Sequence, residues 1–87
     1  MSYSPKPWSG TVDIKVFLND NTLDWRQTAV KIAGKLAENP TLFKDTDLDQ
    51  DFRDLAEDSE ADVEDFDKKL DELYDFADYY RIWLGPK

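Results

Sequence analysis

From Thr11 the chain reads TVDIKVFL, with Val12, Ile14, Val16 and Leu18 alternating against Asp13, Lys15 and Phe17. Period-two alternation of β-branched residues predicts a strand over 11–18. The following NDNT is turn chemistry, and the period then changes. Trp25, Ala29, Ile32 and Leu36 recur at 4-3-4 spacing, which predicts a helix from about 22 to 38 with Asn21 or Thr22 as its N-cap. Asn39-Pro40 ends it. Leu42 and Phe43 form a short apolar anchor in the connection. Leu48, Phe52 and Leu55 mark a second helix over about 47–57.

A third helix is expected over about 60–84. Val63, Phe66, Leu70, Leu73, Ala77, Tyr80 and Leu84 keep 3-4 spacing throughout. Ser59 is its expected N-cap, with Asp62 as the acidic member of a capping box, and Gly85-Pro86 as stop signals. Residues 1–10 contain Pro5, Pro7 and Gly10 and should be extended, with Trp8 packed on the core. A lone strand needs a partner. The sequence offers residues 2–8 as an edge, a second copy of the chain, or a partner's sheet edge.

The positions flanking the third helix's stripe begin charged at Asp67 and Lys69 but become Tyr74, Phe76 and Trp83. A coiled-coil seam keeps such flanks polar, so burial against several elements is favoured. The expected fold class is mainly α (α+β), one compact helical domain spanning 1–87. Tyr79, Ile82 and Trp83 extend the apolar surface of that helix and form a candidate apolar contact.

Composition narrows the chemistry. With neither Cys nor His, disulfides, thiolate nucleophiles, imidazole bases and the common transition-metal ligands are missing. No Gly-rich phosphate loop is present. The run Asp45, Asp47, Asp49, Asp51 resembles the start of a calcium loop. However, the sixth position is Gln50 where glycine makes the turn, and the twelfth is Ala56 where a bidentate Glu is needed. The chain is therefore expected to be no enzyme and to need no metal or cofactor. It lacks a signal-peptide pattern and any apolar run near the ~20 residues of a membrane span, so a soluble, cytoplasmic protein is expected.

Charge changes the picture most. Residues 1–44 carry six basic and four acidic side chains, net +2; residues 45–87 carry five basic and sixteen acidic, net −11. Placed on helices, the acids form rows. Asp47, Asp51, Asp54 and Asp58 follow 4-3-4 spacing on the second helix. Glu64, Asp65, Asp71, Glu72, Asp75 and Asp78 lie off the apolar stripe of the third. Twelve of those sixteen acids are Asp, although Glu is the better helix former. Short Asp side chains hold charge close to a rigid backbone, which suits a fixed negative surface for a basic partner. Direct contact with DNA, RNA or an anionic membrane is disfavoured by repulsion.

The stretch DTDLDQDFRDLAEDSEADVEDFD and the segment DELYDFADYY make the chain similar, at the level of class, to the acidic DNA-mimic inhibitors of phages and other mobile elements, including anti-restriction and anti-CRISPR proteins. The resemblance implies stoichiometric occlusion of a nuclease or other nucleic-acid-binding protein, without a cofactor. The +2 first half implies that only one face plays this role. The competing reading is a small helical adaptor, homodimeric or partner-docked, whose acidic face only solubilises it.

Overall fold

The computed structural model describes residues 8–85. Their order is β1 (Gly10–Thr11), α1 (Lys15–Leu18), α2 (Trp25–Ala37), α3 (Leu48–Glu57), α4 (Val63–Tyr80) and β2 (Ile82–Trp83). The mainly α, compact helical domain expected from the pattern is what forms. The N-terminal extended segment before Trp8 and the stop signal at Pro86 lie outside the described residues.

The helices start where side chains satisfy their first N–H groups. Asp24 caps α2: its carboxylate accepts from Gln27 N, and Gln27 Oε1 accepts from Asp24 N, a reciprocal box. The expected caps at Asn21 or Thr22 give way because Thr22 is held by Asp20 in a preceding turn. Asp62 likewise caps α4 with Asp65 as its reciprocal partner. Ser59 is not the cap, since residues 58–60 form a turn in which Asp58 Oδ1 accepts from Glu60 N.

The expected strand over 11–18 is shorter than its alternation. Val12 and Ile14 do point into the core, at 2% and 0% exposure. Their N–H groups donate to the carbonyls of Trp83 (2.8 Å) and Leu84 (3.0 Å). Lys15 N–H shares that last carbonyl, and there the partner strand runs out. Winding into α1 then satisfies the next donors within the chain, as Phe17 and Leu18 bond back to Ile14 O. Val16, expected on the buried face, is consequently exposed.

The lone-strand problem is resolved inside the chain. β1 pairs in parallel with β2, Gly10 opposite Ile82 and Thr11 opposite Trp83. The third helix therefore does not reach Leu84. It ends at Tyr80 because Arg81 adopts the left-handed region (φ 59°, ψ 50°), its N–H closing on the carbonyls of Ala77 and Asp78. The 3-4 spacing appeared unbroken because Leu84 is also buried, but it is so as the alternate residue after Ile82 in an extended chain. Beyond them Gly85 takes φ 120°, and a Cβ there would collide with the Asp13 carboxylate.

One core joins these pieces. Ile32 and Leu36 of α2, Phe52 of α3 and Leu73 of α4 are fully buried beside Val12 and Ile14. Phe52 meets Phe66 edge-on at 6.0 Å between ring centroids, and Phe43 from the α2–α3 connection stacks on Phe76 at 5.5 Å. Among the described residues no helix is long and apolar enough to cross a membrane.

Candidate functional site

The acidic residues of α3 occupy one flank but not one environment. Asp47 is the exposed residue preceding the first turn. Asp51 is half-buried, 3.3 Å from Lys69 Nζ of α4. Asp54 is exposed and accepts from Gln50 Nε2 at 2.8 Å. Asp58 belongs to the α3–α4 turn.

On α4 the acids divide into two groups. Asp65 is occupied by the capping box, and Glu72 lies 2.7 Å from Lys69 Nζ. Both lie on the flank that meets α3. Glu64, Asp71, Asp75 and Asp78 follow 7-4-3 spacing and are all exposed, on the side away from the buried Phe66, Leu73 and Ala77. Lys69 thus forms a seam between the two rows. Burial works against its charge, but the hydrogen bonds its ammonium donates to Glu72 and Asp51, reinforced by both carboxylates' charges, outweigh it and hold its pKa above the usual lysine value. The lysine neutralises part of the expected surface, leaving Asp47 and Asp54 on α3 and the outward α4 row as its most open carboxylates.

The three expected apolar contacts part company. Ile82 is 3% exposed and belongs to the core, so it offers no surface. Tyr79 is 79% exposed, with its ring edge against Tyr80. Trp83 points outward from β2 and walls an open groove of about 470 Å³. Trp8 and Tyr74 line the same groove, with Lys15 and Asp78 also on it. Burial, with a smaller push from the Asp71 carboxylate, raises the Tyr74 phenol above its ordinary pKa, so the ring is neutral at pH 7.

Arg26 is a residue the sequence reading passed over. Its Nη1 donates to the carbonyls of Leu55 (3.4 Å), Ala56 (3.1 Å) and Asp58 (2.7 Å), and Nη2 to that of Ala61 (2.9 Å). The guanidinium lies 4.4 Å from the Trp25 ring centroid. It closes the C-terminal end of α3, where no glycine is available to do so, and fixes the turn that carries Asp58. The missing glycine between Glu57 and Ala61 was the one signal that those carbonyls needed an outside donor.

Among the described residues no group of acidic side chains is gathered closely enough to hold a metal ion. The chain matches no family model, no curated protein and no solved structure.

Proposed function

We propose that the protein is a non-enzymatic inhibitor of the DNA-mimic type, which binds the basic surface of a nucleic-acid-binding protein and blocks it. The observation that carries this reading is the outward row Glu64, Asp71, Asp75 and Asp78, exposed on a helix whose opposite face is locked into the core. At ~1.5 Å rise per residue, neighbours three or four apart advance about 4.5–6 Å along the axis. Phosphates of one DNA strand advance about 3.4 Å per nucleotide and lie further apart through space, so a phosphate-binding surface can engage such a row. Asp47 and Asp54 on α3 extend the field beyond the Lys69 seam. Binding is stoichiometric and uses no cofactor.

The test combines capture with neutralisation. The immobilised chain should retain nucleic-acid-binding proteins from a lysate at low salt and release them to rising salt or to competing duplex DNA. Asp71→Asn, Asp75→Asn and Asp78→Asn together should weaken retention at least about tenfold, since charged contacts dominate such encounters, without lowering the unfolding midpoint. Undiminished retention with unchanged salt dependence would overturn the reading.

A second reading, a homodimeric or partner-docked adaptor, is favoured by Tyr79, the most exposed large apolar side chain among the described residues. Size-exclusion with light scattering separates the two, because Tyr79→Ala should dissociate an adaptor dimer and leave a mimic monomer unaltered.

A further inference from the structure

We propose that the groove lined by Trp8, Tyr74 and Trp83 anchors an arginine side chain of the basic partner, its guanidinium against the Tyr74 and Trp83 rings and its edge toward Asp78. This rests on the acidic-face reading and adds to it a specific point of attachment.

The groove has the size of a ligand site, about 470 Å³, and its three rings keep substantial exposure, 45% for Trp8 and 37% for both Tyr74 and Trp83. Exposed aromatic side chains such as Tyr74 and Trp83 attract cations through the quadrupole of their rings. Charge complementarity selects the occupant. Tyr74 and Asp78 are one turn apart on α4 and both line the groove, and the Asp71 carboxylate is close enough to Tyr74 to act on its phenol, so the negative face of α4 meets the groove at this end. A basic segment lying on that face passes over the rings.

Among the described residues lining the groove, Lys15 is the one opposing charge. Its Cβ packs toward Gly85, at the β2 end of the groove. Arginine is preferred to lysine because its planar fork can lie on a ring and still present edge N–H groups to a carboxylate. The molecule already uses this pairing once, where Arg26 covers the Trp25 ring while its edge reaches four carbonyls.

The tryptophans provide the readout without any substitution. The ¹⁵N-labelled full chain is titrated at low salt with a nona-arginine peptide and, separately, with nona-lysine. The Nε1–H resonances of Trp8 and Trp83 should shift with nona-arginine while that of Trp25, on α2, stays in place. Nona-lysine should move them less. Trp83→Ala should weaken nona-arginine binding by roughly fivefold, the scale of a partly exposed cation–π contact. Binding that leaves both groove indoles unmoved overturns the anchor and leaves the acidic-face reading standing. Equal indole shifts with the two peptides overturn the choice of arginine. Failure of nona-arginine to bind at low salt overturns both the anchor and the reading it rests on.

Discussion

Arg26 shows how much one side chain can hold. The last turn of a helix leaves carbonyls without partners, and α3 ends at Asp58 without the left-handed glycine that usually closes it. A single guanidinium takes four carbonyls across residues 55–61 and adds positive charge at the negative end of the helix dipole. Arg26→Ala should therefore cost about 2–4 kcal/mol in urea unfolding, the range for charged hydrogen bonds lost in part-buried surroundings. Arg26→Lys should recover less than half, because an ammonium cannot span both sides of the turn. A loss below ~0.5 kcal/mol for Arg26→Ala would place it with ordinary surface substitutions and contradict this role.

The decisive element is the end of α4. A left-handed residue carrying a Cβ costs on the order of 1 kcal/mol, and Arg81 sits there because β2 must turn back against β1. Arg81→Gly removes that strain and should raise stability by about 0.5–1 kcal/mol. In a helix continuing to Leu84 the same substitution would lower stability by about 1 kcal/mol. The sign of the change in thermal midpoint thus reports directly on the helix stop. The same element explains the groove, since only an extended 82–84 sends Ile82 and Leu84 inward and Trp83 outward.

For the whole molecule, the net charge of −9 is concentrated on two of its helices. At ~0.01 M salt the screening length is about 30 Å, more than twice the 13.7 Å radius of gyration, so repulsion reaches well beyond neighbours in one row. Near ~0.15 M it falls to about 8 Å, and only neighbours within a row still repel. The Lys69 seam relieves one local cluster but leaves the outward α4 row intact. Sodium chloride should therefore raise the unfolding midpoint over this range while weakening any basic partner. A midpoint that falls with salt would mean that ion pairs such as Lys69–Glu72 outweigh the repulsion.

The helical class, the three long helices and their buried stripes were legible in the sequence, because periodicity records which side of a helix faces apolar neighbours. The alternation of Val12 and Ile14 was legible for the same reason. Where the third helix stops was not. Leu84 continues the helical stripe of Ala77 and Tyr80 as well as it fits a strand, and only the unsatisfied donors of residues 9–14, met by the carbonyls of 81–84, decide between them. Which carboxylates stay open was equally a tertiary matter. Asp51 and Asp54 are alike in sequence spacing, yet one faces Lys69 across the α3–α4 contact while the other remains exposed. Local pattern specifies faces; pairing, neutralisation and the groove arise only when distant faces meet.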